Sequence, residues 1–530
     1  MTRVWIGLAM VIGGCEGTFD RLSETPRGPD LREELIDESA PPDVAWAPSG
    51  FLTTRQFAFA TYDLLGVMPA EDLPAENRVD LFVNNAFQHE ASLLSEDIRA
   101  AIAEDVAASM NSESLATRVG CLDDCSVATL APFFQRAFRR ELPADEQEAL
   151  STLVTEADNP VEGLRLLIEV VLRSPQFLYR FEEPQTGSTP DRASPIDDFG
   201  LASRLSFFLW NSGPDERLLD LASSNALSDP ATLRTEVARM LDDERFGRSV
   251  MSFHEQWLSL DAMSRLEKSD PTFAGAGTSW RESFDGFIAT TFDRGLRELL
   301  TTSELALTED LAPLYGFEPT APLASYRFAP EERAGLLSHP AMMAKLAFAD
   351  QDSPIARGVF VMERLLCREP PPPPMDVDLT PPPVDPDSTS RERFDTLTGV
   401  EPCVGCHQLF NPIGYLFGNF DATGRYIETS ESGRPIEAEA TVLNLVEGVG
   451  STYSGPVEFA HTLADSPAVS HCVAEHWLRY AVGRPLHARD ARSVHEARTA
   501  FDDSDGDFRE LMRAIAESPA FRLHRIEEDR

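Results

Sequence analysis

Positive charge is scarce in this chain: 46 Lys and Arg stand against 88 Asp and Glu, a formal net charge of −42 over 530 residues. An acidic surface of that kind repels phosphate backbones, which argues against nucleic acid as a partner. The N-terminal apolar stretch from Val4 to Ile12 is too short to cross about 30 Å of hydrocarbon as a helix. A Gly-rich phosphate loop and a Gly-x-Ser-x-Gly elbow are both missing, and His254-Glu255 lacks the second histidine of a zinc protease. Period-two alternation of apolar residues is rare, which disfavours a sheet-rich fold. What is present is a 42% apolar fraction, which suits a globular chain. The length is enough for several domains.

The N-terminus carries an export signal. Met1-Thr2-Arg3 supplies a short positive region, followed by apolar and small residues ending in Ile12-Gly13-Gly14-Cys15. This stretch resembles a bacterial lipoprotein signal in which Cys15 becomes the lipidated first residue; an ordinary secretory signal with Cys15 incidental is the other reading. Both place the mature chain outside the cytoplasm, in the cell envelope, with the membrane reached only through an N-terminal lipid. Residues 16–50, rich in Pro, Glu and Asp, suit a disordered tether.

That compartment gives the seven cysteines a meaning. Setting aside Cys15 and the pair Cys403 and Cys406 leaves Cys121, Cys125, Cys367 and Cys472, an even number suited to oxidation. Three pairings are open. Cys121 with Cys125 and Cys367 with Cys472 is the expected one: the first closes a tight loop, and the second clips the segment before Cys403 to the one after it.

The strongest motif is Cys403-Val404-Gly405-Cys406-His407, the pattern for covalent attachment of one haem c. Two thiols add across the porphyrin vinyl groups, and helical spacing brings His407 beneath the iron as its proximal ligand. A disulfide and a zinc site are the rivals. Thioredoxin-like chemistry needs a βαβ context, and zinc needs further ligands at a fixed spacing; neither is in the sequence. Asn411-Pro412-Ile413-Gly414 is expected to turn the chain beneath the haem, with the Pro412 carbonyl accepting from the His407 ring. Arg425 is a candidate partner for a haem propionate, or else a surface arginine. The sixth iron ligand is open: Met342, Met343, Met362, Met375 and Met512, and His339, His461, His471 and His476, are the candidates, each also readable as packing or surface.

Helical spacing dominates the rest, so the fold class is mainly α. Thr53 or Thr54 is an expected N-cap and Gly66 a stop. Further helices are expected to start at Pro143, at Ser194-Pro195 and at Asp229-Pro230. Ser174-Pro175-Gln176-Phe177 and Ser518-Pro519-Ala520-Phe521 echo one another as helix ends, either by chance or as a repeat. The run Pro370 to Pro374 with Pro381-Pro382-Pro383 and Pro386 predicts an extended arm.

Taken in order, these motifs resemble the multidomain planctomycete-cytochrome-C type. The residues that carry the likeness are Leu52-Thr53 to Val67, Phe134 to Arg140 with Ser174 to Arg180, and Leu201 to Trp210 with Gln256-Trp257-Leu258. It continues through Arg333 to Leu337, Ser353-Pro354, Arg357-Gly358, the haem motif and Asn419-Phe420-Asp421, and ends with Arg479 to Arg484. The resemblance covers most of the chain from about residue 51, after the signal over 1–15 and the tether over 16–50, and implies helical domains over 51–115, 116–185 and 192–318. A cytochrome-c-like haem domain follows over 322–427, including the arm at 370–386, and a C-terminal helical domain over 428–527. It implies haem binding at Cys403, Cys406 and His407 but no substrate. Three functions fit: single-electron transfer with an unidentified redox partner, a haem oxidase or peroxidase with an open iron site, and a non-enzymatic surface scaffold stabilised by haem.

Overall fold

The computed structural model describes residues 41–46, 48–69, 76–78, 81–88, 93–122, 125–182, 193–373, 379–430 and 433–525. The signal over 1–15 with Cys15, most of the expected tether, and Met375 lie outside the described residues. The chain is mainly α, and its sheets are four two-stranded pairs among the described residues. No helix of the described residues is long and apolar enough to cross a membrane. Two compact units are woven from discontinuous segments. One takes Leu266–Trp280 and Leu300–Val469; the other takes the described residues of 41–265, Arg281–Leu299 and 470–525.

The second unit opens where the sequence places it. The Thr53 side chain caps Thr54–Leu65 by accepting from the Gln56 N–H, the Thr53 N–H donates in return to the Gln56 side-chain oxygen, and Gly66 closes the helix at φ 76°. Asp229 caps Pro230–Leu241, with the proline in the first turn. Pro143 stands just before Ala144–Thr155, at the cap itself. Ser194-Pro195 departs from expectation. It is a short strand paired with Leu523–His524, and the helix begins only at Asp198, capped by Asp197. Residues at the end of the expected tether are held against this unit: Val44 is buried, and Asp43 pairs with Arg489 and Arg525.

The echo between Ser174-Pro175 and Ser518-Pro519 is a repeated structural device. Each serine ends one helix, Pro160–Arg173 or Phe508–Glu517, and each proline starts a four-residue helix, Pro175–Leu178 or Pro519–Arg522. A two-residue strand follows in both cases. Tyr179–Arg180 pairs with Gly50–Phe51, and Leu523–His524 pairs with Ser194–Pro195. The next ladder bond also matches, Leu52 N–H to the Leu178 carbonyl and Ile196 N–H to the Arg522 carbonyl. A capped twelve-residue helix leaves each partner strand. In both copies an arginine gathers the carbonyls of the turn: Arg139 donates to Gln176, Phe177 and Tyr179, and Arg204 to Ala520, Phe521 and Leu523.

The first unit is organised around two helices, Pro354–Arg364 and Val404–Tyr415. A Cβ on Gly358 would lie 1.9 Å from the Phe410 carbonyl oxygen, and one on Gly414 would lie 1.9 Å from that of Pro354. The backbones therefore touch at two points, and each contact admits only hydrogen on Cα. Beside this crossing, the buried Arg357 donates to the carbonyls of Phe417 and Phe420, at 2.7 and 2.9 Å. The buried Arg333 donates to those of Ser338 and Gly424, both at 2.6 Å, and its guanidinium lies over the Phe420 ring. Burial holds Arg333 down to about 10, still charged at neutral pH.

Two outcomes follow. Gly358→Ala and Gly414→Ala should each lower stability by about 2 kcal/mol or more in urea titrations, the cost of overpacking a filled contact. Gly405→Ala, where a Cβ meets nothing within 4 Å, should be neutral or slightly stabilising. In the second unit, His254 is buried among Trp257, Phe292 and Trp477, with Nδ1 donating to the Val250 carbonyl at 2.8 Å. Burial holds it down to about 4, below its ordinary 6.5. The unfolded chain thus binds the extra proton first, so this stability is present above pH 6.5 and is lost as pH falls toward 4. Between pH 6.5 and 5 the loss should be about 2 kcal/mol, and it should vanish from the pH dependence of urea midpoints in His254→Gln.

Candidate haem-attachment site

Local sequence brings the motif to a helix start. Thr389 and Glu392 form a capping box on Ser390–Thr398, and a short turn through Gly399 leads to Cys403 at the N-cap of Val404–Tyr415. Cys403 already has helical backbone angles, and its carbonyl accepts from the N–H groups of Cys406 and His407 at 3.2 and 3.1 Å. Residues three and four apart on a helix share a face, so Cys403, Cys406 and His407 stand together on one turn. All three are partly exposed. Neither Cys403 nor Cys406 is in a disulfide.

The helix runs straight through Pro412, which corrects the expected turn at 411–414. A proline removes the bond to the carbonyl four residues back, here that of the exposed Gln408, and so its cost is reduced by solvent. The Pro412 carbonyl is also not the acceptor for the His407 ring. Nδ1 of His407 meets Oδ1 of Asn411 at 3.2 Å, because the side chain one turn along the same face is closer than any carbonyl of a helix pointing down its own axis. The Asn411 amide nitrogen bonds Thr398 Oγ1 at 2.9 Å and the Tyr415 hydroxyl at 3.4 Å, and Tyr415 in turn bonds Asp395 Oδ1 at 2.6 Å. Sequence reasoning missed Asn411, Tyr415, Thr398 and Asp395. The spacing 407, 411, 415 was the available signal, three polar rings and amides on one stripe of one helix.

Asn411 and Tyr415 are buried, and the Phe410 ring packs against His407 with centroids 4.8 Å apart. Burial holds His407 below the ordinary histidine range, opposed by the Asn411 bond. Burial and the neighbouring Asp395 push the Tyr415 hydroxyl up, so it remains a donor. Arg391 lies over the Tyr415 ring at 4.8 Å and donates to the Glu439 carbonyl. A cavity of about 590 Å³ opens beside this helix, lined among others by Asp352, Arg391, Asp395, Tyr415, Phe420 and Arg434.

The remaining sequence candidates are placed as follows. Arg425 is committed to Asp270 and Thr272 at 3.1 and 2.9 Å and stacks over Phe273, so its charge is already matched. Met342, Met343 and Met362 are core residues of the same unit. His339 is buried there too, and its Nδ1 accepts from Ala341 N–H as a helix cap. His461 is exposed. Met512, His471 and His476 belong to the other unit, where Met512 is buried and His471 bonds Asp502 at 2.7 Å. Nε2 of His476 lies 3.4 Å from Cys472 Sγ. The expected Cys121–Cys125 bridge is present, and Cys367 and Cys472 are each disulfide-bonded.

Comparison with known families gives four matches, each to a protein of unknown function: DUF1595 over residues 125–182, DUF1592 over 196–317, DUF1588 over 333–430 and DUF1585 over 449–521. No curated protein and no solved structure matches the chain. The third match contains the motif helix and both helices that pack beside it. The chain belongs to the multidomain planctomycete-cytochrome-C type, built from successive domains of unknown function.

Proposed function

We propose that this protein is an envelope haem protein. One c-type haem is held by thioethers from Cys403 and Cys406 and by His407 at the iron, and it exchanges single electrons with an unidentified redox partner. The observation that carries this reading is the placement of both thiols and the imidazole on one partly exposed turn, with the far side of the imidazole already bonded to Asn411.

Other features support the fit. The two thiols are not spent on a disulfide, and each adds across a vinyl group with its proton going to the neighbouring carbon, so no oxidant is needed. Open space lies beside Gly405. Leu397 and Val400, on the approach to the motif, are 43% and 59% exposed, apolar surface that a porphyrin face would cover. Bound haem would supply one-electron chemistry at iron. The chain's own part is to orient His407, to shield one side of it with Phe410, and to keep the attachment turn accessible. Export through the Met1–Cys15 segment agrees with the disulfide at Cys121–Cys125, a bond that persists in oxidising compartments. Lipidation of Cys15 would hold the protein at the membrane surface.

The full chain made in a host that matures c-type cytochromes should retain haem after denaturation, seen by haem staining and by a reduced absorption spectrum. Cys403→Ser/Cys406→Ser should not. A low-spin spectrum supports electron transfer, and a high-spin spectrum with peroxide turnover replaces that reading by an open-site oxidase or peroxidase. Wild-type chain without covalent haem, beside a control cytochrome that is matured, would sink the proposal. Cys15→Ala should move the protein from the membrane fraction to the soluble envelope fraction, and no change in fractionation would remove the lipid anchor from the account.

A further inference from the structure

The hydrogen bonds around Asn411 determine which ring nitrogen of His407 carries the proton. An amide can be turned either way, so the assignment must come from its partners. Asp395 is a carboxylate and only accepts, so the 2.6 Å bond from Tyr415 makes the phenol the donor. Thr398 Oγ1 donates to the Phe394 backbone carbonyl at 2.7 Å, and a carbonyl also only accepts. Both hydroxyl protons are therefore spent, and each oxygen offers Asn411 nothing but lone pairs.

The amide must then point its NH2 group at Thr398 and Tyr415, at 2.9 and 3.4 Å. Its oxygen is left facing His407, where it can only accept. The neutral imidazole must hold its proton on Nδ1 and its lone pair on Nε2. Two independent anchors, one a carboxylate and one a backbone carbonyl, give the same answer.

We infer that Asp395, Tyr415 and Thr398 are positioning residues that act through the Asn411 amide to hold His407 as the Nδ1–H tautomer, with Nε2 as the free electron pair. The inference deepens the haem proposal, on which its use rests, but the tautomer belongs to the polypeptide and is set before any iron arrives. The device differs from a ring held by a backbone carbonyl. Its outermost member, Asp395, has a side chain 57% exposed and lines the neighbouring cavity. The orientation of an iron ligand is thus tied to a group that solvent reaches.

The test uses the full-length Cys403→Ser/Cys406→Ser chain, which carries no covalent haem, labelled with ¹⁵N-histidine at pH 8. Long-range ¹⁵N–¹H correlations report the tautomer, and the His407 signal is assigned by its loss in His407→Gln. The Nδ1–H form is expected. Asn411→Asp, which keeps an acceptor at that place, should retain it. Asn411→Leu and the double variant Tyr415→Phe/Thr398→Val should shift the signal toward Nε2–H while circular dichroism stays unchanged. An Nε2–H signal in the parent overturns the inference, as does a folded double variant whose tautomer does not move. In haem-loaded wild-type chain, Asn411→Leu should shift the reduction potential positively, because an imidazole that has lost its acceptor donates less to iron. Failure to load haem would defeat the proposed function and leave the tautomer result standing, so the two claims fail separately.

Discussion

The contact on which the haem-motif unit depends is one between two backbones. Gly358 rests against the Phe410 carbonyl and Gly414 against the Pro354 carbonyl, and no side chain separates the helices at either point. Helices normally pack 8–10 Å apart because side chains intervene. Here the closest approach is set by the main chain, which leaves little freedom to slide or rotate. The motif turn is one end of the same helix, so its direction is fixed by a crossing that begins within a turn of His407. His407, Asn411 and Tyr415 share that helix, and their mutual geometry inherits the same rigidity.

Buried arginines are the second theme. In an acidic chain one expects guanidinium groups to be drawn to surface carboxylates, and many are. Yet Arg139, Arg333 and Arg357 are buried and spend their protons mainly on backbone carbonyls of turns, and the buried Arg204 divides its own between Glu182 and such carbonyls. Carbonyls in such turns have lone pairs to spare, and one planar fork with five donors serves two or three of them at once. Lysine would offer a point charge and no fork. Burial lowers the charged form's preference in Arg139 and Arg333, to about 9 and about 10, without neutralising either. The loop after the motif helix, from Phe417 to Gly424, is shaped in this way by Arg357 and Arg333 together.

Much of this was legible where the causes are local. Thr53 with Gln56, Gly66, and Asp229 before Pro230 name helix ends because a cap is made by residues within three or four of one another. The Cys-x-x-Cys-His spacing announces a shared helical face for the same reason. Ser194-Pro195 misleads because its partner strand is Leu523–His524, and nothing near residue 194 records that pairing. Asn411-Pro412-Ile413-Gly414 reads as a turn, since proline ordinarily breaks a helix. The rule yields here because Gln408 is exposed and the Gly414 contact holds the later turns. Asp395 and Thr398 were out of reach, since they sit on a separate helix that only folding brings beneath Asn411. Arg425 reads in the sequence as a propionate partner or a surface arginine, and nothing near it announces Asp270 and Thr272, distant in sequence, which hold it.

The repeated strand-and-turn device bears on the order in which the chain can be completed. In one copy the pieces are Gly50–Phe51 and Tyr179–Arg180; in the other they are Ser194–Pro195 and Leu523–His524. The first can close while most of the polypeptide has yet to appear. The second waits for nearly the last residues, and the second, third and fourth matched segments, the thiol-bearing turn among them, are strung between its halves. Closing so wide a loop is slow and is paid for only at the end. The turn that bears Cys403 and Cys406 is therefore already on the chain while the second copy is still open, so during synthesis both thiols precede the closing of the strand pair that spans them.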